Sequence, residues 1–124
     1  MAEKEMTSTS FADQKYVCVE TFKRNGQGVR TPLWFIEDSG ILYVWTMSNS
    51  GKAKRIRNNP KVRVVPSTAR GKPKGTWVDA KARLAESSQA ERVLGEFGKK
   101  YGIVYWFLSH LGRGKRRVFE IRVS

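Results

Sequence analysis

Short runs of alternating apolar and polar residues, separated by gaps of turn length, constrain this chain more than any other feature. Tyr16 to Lys23 alternates and then meets Arg24-Asn25-Gly26-Gln27-Gly28, a turn-rich stretch. Val29 to Glu37 is again β-branched and aromatic, Asp38-Ser39-Gly40 turns the chain, and Ile41 to Thr46 supplies a third run. Gaps this short join antiparallel neighbours, whereas parallel strands need crossovers of a dozen residues or more. A meander of three strands is therefore expected, and doubly wound parallel architectures are disfavoured.

Met47-Ser48-Asn49-Ser50 offers several helix-capping side chains, and Gly51 to Asn59 carries Ala53 and Ile56 three apart before Pro60. That pattern predicts a short helix. Lys61 to Pro66 reads as a strand, and Thr76 to Ala85 reads as another through Val78, Ala80, Ala82 and Leu84. Ser88-Gln89-Ala90-Glu91 matches a capping box, so a helix is expected from about Ser88 to Lys100. Gly102 ends it, Ile103 to Leu111 suits a second, mostly buried helix, and Arg117 to Val123 alternates as a closing strand. The sum is mainly β, a small antiparallel barrel with helical covers.

A chain of 124 residues is the length of one domain. Residues 1–10 are polar and aperiodic, and they are expected to be a flexible segment ahead of a single domain over 11–124. No apolar run reaches the roughly 18 residues that span a bilayer, and no basic region followed by an apolar stretch marks a secretory signal. The expectation is a cytoplasmic protein without a membrane partner.

Composition narrows the chemistry. The one cysteine, Cys18, lies in a strand-like run and reads as a small buried hydrophobe. The one histidine, His110, reads as structural, and with a single Cys and a single His no zinc site of the common classes can be built within the chain. Carboxylates are sparse and unpaired in spacing, and no Gly-x-Ser-x-Gly occurs. No catalytic side chain can be named, so an enzyme of this composition would take its reactive group from a cofactor.

Charge points to an anionic partner. There are 24 Lys and Arg against 11 Asp and Glu, a formal charge of +13, and no acid falls between Asp38 and Asp79, a stretch holding nine cations from Lys52 to Lys74. The short helix is the natural anion site, with Thr46, Ser48, Asn49 and Ser50 at its start and Lys52 and Lys54 in its first turn, where cations oppose the helix dipole. Thr31-Pro32-Leu33-Trp34-Phe35 is an aromatic strand whose proline argues for an edge or irregular position, suited either to a flat-ring pocket or to the core. Basic residues interleaved with Tyr43, Trp45 and Trp77 leave open a different class, a nucleic-acid-binding domain.

The order Tyr16 to Thr21, Thr31-Pro32-Leu33-Trp34-Phe35, Leu42-Tyr43-Val44-Trp45-Thr46, Ser50-Gly51-Lys52-Ala53-Lys54-Arg55-Ile56, Asn59-Pro60 and Val62 resembles the pyridoxamine 5'-phosphate oxidase-like split β-barrel superfamily, and within it the F420-dependent reductases. The resemblance runs from about Val17 to Leu84. It implies a split barrel of six to seven strands, a homodimer, and a cofactor in a groove at the dimer interface. Lys52 and Lys54 would contact the cofactor phosphate, with Thr46, Ser48, Ser50 and Arg57 nearby, and Pro32, Leu33 and Trp34 would border the ring. Trp77 would reach the same groove from either chain. Gly51 stands where the flavin-mononucleotide oxidases of the superfamily commonly carry an arginine, and their extended C-terminal substrate-binding segment has no clear counterpart. The implied function is hydride transfer from the deazaflavin F420 to a small conjugated or quinone-like organic acceptor. The alternatives are an FMN-binding oxidoreductase and a cofactor carrier without turnover.

Overall fold

The computed structural model describes residues 11–47, 50–109 and 116–123, with the backbone alone for 103–109. Six strands, β1 (Tyr16–Phe22), β2 (Gly28–Asp38), β3 (Ile41–Met47), β4 (Lys61–Ser67), β5 (Val78–Leu84) and β6 (Arg116–Val123), close into a barrel in the order β1-β2-β3-β6-β5-β4. Every neighbouring pair is antiparallel, including β1 with β4, which completes the closure. Two helices accompany them, α1 (Gly51–Asn58) and α2 (Ser87–Ser109). The mainly β class, the antiparallel barrel and the helical covers are as the sequence predicts, with six strands.

Alternation puts Val17, Val19, Phe35, Leu42, Val44, Val62, Val64, Phe119 and Ile121 inside the barrel. Helix α1 joins this interior through Ala53 and Ile56. Eight residues are too few for a helix to persist alone in water. Burying Ile56 contributes about 1.5–3 kcal/mol, which outweighs the roughly 0.3–1 kcal/mol by which a cation opposes the dipole at a helix start. The core therefore holds α1 in place despite its basic first turn.

A second cluster lies outside the barrel wall, where Val93 and Phe97 of α2 pack on Ile36, Tyr43 and Val118. This explains why β3 is apolar along almost its whole length, because both of its faces are covered. The expected break at Gly102 is present, with φ of 67° and ψ of −145° separating two helical stretches within α2. The start of α2 differs from expectation. The Ala90 amide donates to the Glu86 carbonyl, so the helix is under way before Ser88, which lies inside the first turn and is not its cap. Cys18 is 1% exposed, as expected of a small hydrophobe. His110 and Leu111 lie outside the described residues. Among the described residues, no helix is long and apolar enough to cross a membrane.

Candidate functional site

The ladder between β2 and β3 is short. It runs from Asp38↔Ile41 to Phe35↔Val44 and stops. Beyond that pair β2 stays with β1, through Trp34↔Tyr16, Leu33↔Val17 and Pro32↔Cys18, while β3 stays with β6, through Trp45↔Val118, Thr46↔Arg117 and Met47↔Arg116. Proline is tolerated where a strand is paired on one side only, so Pro32 occupies the edge position its chemistry predicts. The strands diverge to leave a groove of about 340 Å³, lined by Pro32, Leu33 and Trp34 on one bank, Trp45, Thr46 and Met47 on the other, and Tyr16.

At the end of the β3 bank the chain enters α1. The Ser50 hydroxyl oxygen accepts from the Ala53 amide at 3.1 Å and from the Thr46 hydroxyl at 3.1 Å. This ties the groove wall to the helix start. The Ser50 oxygen is thereby used as an N-cap, and the Lys54 amide donates to the Ser50 carbonyl at 3.2 Å. The amides of Gly51 and Lys52 come before any helical acceptor, which is how a helix start offers donors to an anion.

Cations crowd this corner without an acid in the first turn of α1. Burial, reinforced by the Arg55 charge, pushes the Lys52 ammonium below its ordinary value of 10.5. Arg55 donates through Nε to the Thr21 hydroxyl at 2.6 Å. Its guanidinium lies over Gly51, where an added Cβ would stand 2.9 Å from Nη1. Any side chain at position 51 would shift the end of the flexible Arg55 side chain.

The structure thus brings Pro32, Leu33, Trp34 and Thr46 together and places Ser50, Lys52 and Lys54 at the adjoining helix start. Arg57 lies in the last turn of α1 and is exposed. Ser48 lies outside the described residues. Trp77 is elsewhere: its ring lies 4.7 Å from the Arg30 guanidinium and 5.2 Å from that of Arg63, beside Glu20, which both arginines bind. It precedes β5 and does not line the groove within the chain.

Several contributors escape sequence reasoning. Tyr16, Trp45 and Met47 line the groove, and the register across the split would have identified the last two. Tyr101, from α2, stacks on Trp34 with centroids 4.4 Å apart and planes 12° from parallel. Its hydroxyl accepts from the Phe35 amide at 3.0 Å and lies 2.8 Å from the Lys15 carbonyl and 2.9 Å from that of Phe35. No local spacing reveals a contact 66 residues apart.

The loop after β4 completes the surroundings. Gly71, at φ of 88°, lies against Pro32 and Cys18, so the loop that carries Arg70, Lys72 and Lys74 folds beside the β2 bank of the groove. A larger cavity of about 700 Å³ lies on another wall, against β5 and β6, and has none of the groove's aromatic lining. Aromatic walls beside a helix start suit a flat ring attached to a phosphate, so the smaller groove is the better candidate.

Comparison with known proteins agrees with this architecture. The sequence model of the pyridoxamine 5'-phosphate oxidase family matches residues 3–124. No curated protein matches the chain. Among solved structures, the heme storage protein HutZ of Vibrio cholerae is similar, with 18% identity, a TM-score of 0.73, and coverage of 98% of this chain and 89% of that one. A FAD-binding protein of Mesorhizobium loti shows 19% identity and a TM-score of 0.68 over 100% of this chain and 89% of its own. General Stress Protein 26 of Bacillus anthracis shows 22% identity and a TM-score of 0.67 over 99% and 90%. At these identities the structures share the fold, and the family match extends across nearly the whole sequence. The chain belongs to the pyridoxamine 5'-phosphate oxidase family.

Proposed function

We propose that the chain is a deazaflavin-dependent oxidoreductase that holds F420 in the groove between β2 and β3 and reduces a small conjugated or quinone-like organic acceptor. The observation that carries this reading is the continuity of the groove with the start of α1, joined by the hydrogen bond from Thr46 to Ser50. A flat ring and a phosphate on one molecule need that combination. The similarity to a FAD-binding protein supports a flavin-type ring in this fold.

Two features favour F420 over FMN. Gly51 stands where the flavin-mononucleotide oxidases of the superfamily commonly carry an arginine, and the end of Arg55 lies over it. The basic loop beside Pro32 offers Arg70, Lys72 and Lys74 to a tail of several carboxylates. FMN carries no such tail. The groove volume of about 340 Å³ is at the low end for ligand sites, which supports a second copy of the chain completing the pocket.

When bound, reduced F420 supplies a hydride to the acceptor, with a proton from water completing the reduction. The residues of the chain bind and orient. Trp34, braced by Tyr101, fixes one aromatic wall, and the amides of Gly51 and Lys52 together with the ammonium groups of Lys52 and Lys54 hold the phosphate. No protein nucleophile is required. Side-by-side titration with F420 and FMN tests the reading: tighter binding of F420 is expected, and a preference for FMN would retain the groove but reject the deazaflavin.

A further inference from the structure

The outer wall formed by β4, β5 and β6 carries three rows of charged residues in register. Arg63 faces Asp79, and Arg83 faces Glu120, so two rows match a cation with an acid. The row between them does not. Lys61 faces Lys81, and Lys81 faces Arg122, all exposed. Like charges directly opposite on neighbouring strands repel. The sheet has acids available on either side and places none in this row.

Two cavities share Lys81, the middle of the row. One of about 700 Å³ is lined by Lys81, Arg83, Glu120 and Arg122, and one of about 350 Å³ by Lys61, Arg63, Asp79 and Lys81. In the larger one Glu120, only 1% exposed, accepts the Nε groups of Arg83 at 2.9 Å and Arg122 at 2.8 Å on the same carboxylate oxygen. An arginine held by Nε has its terminal nitrogens left to grip an oxyanion. With strands about 4.8 Å apart, the row spans roughly 10 Å.

We propose that this wall is a second anion site, binding a chain of phosphate groups laid across Lys61, Lys81 and Arg122. A free polyphosphate and a nucleic-acid backbone present the same chemistry to it. The site is distinct from the cofactor groove. Thr46 at the groove pairs with Arg117, whereas Arg122 pairs with Ile41, five residues or roughly 17 Å further along the strands.

The test is calorimetric titration at moderate salt with tripolyphosphate and, separately, a single-stranded oligonucleotide. Lys61→Gln/Lys81→Gln is compared with Arg92→Gln/Lys99→Gln, which removes the same charge from α2, both in a Lys52→Ala/Lys54→Ala background so that the phosphate site proposed at the start of α1 does not contribute. In that background the row variant is expected to weaken binding at least ten-fold, while the α2 control stays within about two-fold. Binding of tripolyphosphate identifies a small-anion site, and row-dependent binding of the oligonucleotide alone identifies a nucleic-acid backbone. The melting temperature without anion is expected to rise in the row variant, as repulsion is relieved, and its increase with anion to vanish. Equal weakening by the row and α2 substitutions, binding left unchanged by the row substitutions, or no binding of either anion once Lys52 and Lys54 are replaced would overturn the proposal.

Discussion

The Tyr101 ring lies parallel to the Trp34 ring at 4.4 Å, so the last residue of α2 before its kink braces one bank of the groove. The Tyr101 hydroxyl also bridges the backbone of Phe35 and Lys15, just past the rung where Tyr16 and Trp34 pair. Strand, groove wall and covering helix therefore meet at one side chain.

Replacing Tyr101 with Phe keeps the stack and removes the bridge. The Phe35 amide loses its acceptor, at a cost of about 1–3 kcal/mol. Tyr101→Ala also loses the ring contact, worth a further ~0.5–1.5 kcal/mol. Burial pushes the Tyr101 hydroxyl up to about 12. The folded chain thus keeps this proton where the unfolded chain releases it, and stability falls as pH rises from about 10 to 12. Chemical denaturation across that range checks both effects, and Tyr101→Phe is expected to flatten the alkaline decline.

Ser50 is predicted to act through the backbone of α1. Ser50→Ala removes the acceptor of the Ala53 amide and of the Thr46 hydroxyl, with an expected loss of about 1 kcal/mol in urea unfolding. Ser50→Asp restores an acceptor for Ala53 and recovers stability, but it places a negative charge where the phosphate is proposed to bind. Stability is therefore expected to return without cofactor affinity.

Lys52→Ala/Lys54→Ala is expected to leave the fold intact and to weaken cofactor binding by ten-fold or more, most of it from the half-buried Lys52. Charge-assisted bonds contribute about 1.5–3 kcal/mol each, and exposed Lys54 less. Because the Lys52 ammonium sits below its ordinary value, affinity for an anion falls at a pH below 10.5 as the charge is lost. Without the anion the sign for stability is opposite, since the folded chain gives up this proton before the unfolded one does and gains stability as pH rises through that window. A pH series of binding and melting measurements on the parent and variant reads both.

Burial alone would raise the Glu120 carboxyl, but hydrogen bonds from Arg122 and Arg83, with their charges, outweigh it and hold the group below its ordinary value of 4.5. Its contribution to stability is present above the unfolded value and is lost as pH falls through the folded one. Glu120→Gln is expected to be less stable than the parent at neutral pH and to lose less on acidification below the ordinary value of 4.5. Acid unfolding followed by circular dichroism measures the difference.

Much of the barrel was legible because alternation and turn spacing are local. The strands expected at Val29 to Glu37 and Ile41 to Thr46 correspond to Gly28–Asp38 and Ile41–Met47, and Pro32 sits at the one-sided edge its missing amide requires. Glu20 and Glu120 were harder. In an alternating strand they read as solvent-facing, yet they are 7% and 1% exposed, because arginines on neighbouring strands, and for Glu120 also Arg122 two residues along, fold over them. Trp77 was expected to reach the groove from either chain; within one chain its ring lies against Arg30 and Arg63, on the two strands that flank β1. Ser88 resembled a cap, but Glu86 already accepts the first helical bond. Each difference comes from partners distant in sequence or from a helix start displaced by a turn or less.

The most direct measurement follows tryptophan fluorescence during titration of the protein with F420 and, in parallel, FMN, since Trp34 and Trp45 line the groove. Saturable quenching by F420 at lower concentration than FMN, lost in Lys52→Ala/Lys54→Ala, is the predicted result. Binding of neither, or F420 affinity unchanged in the double variant, would contradict the assignment of the groove and helix start as the cofactor site.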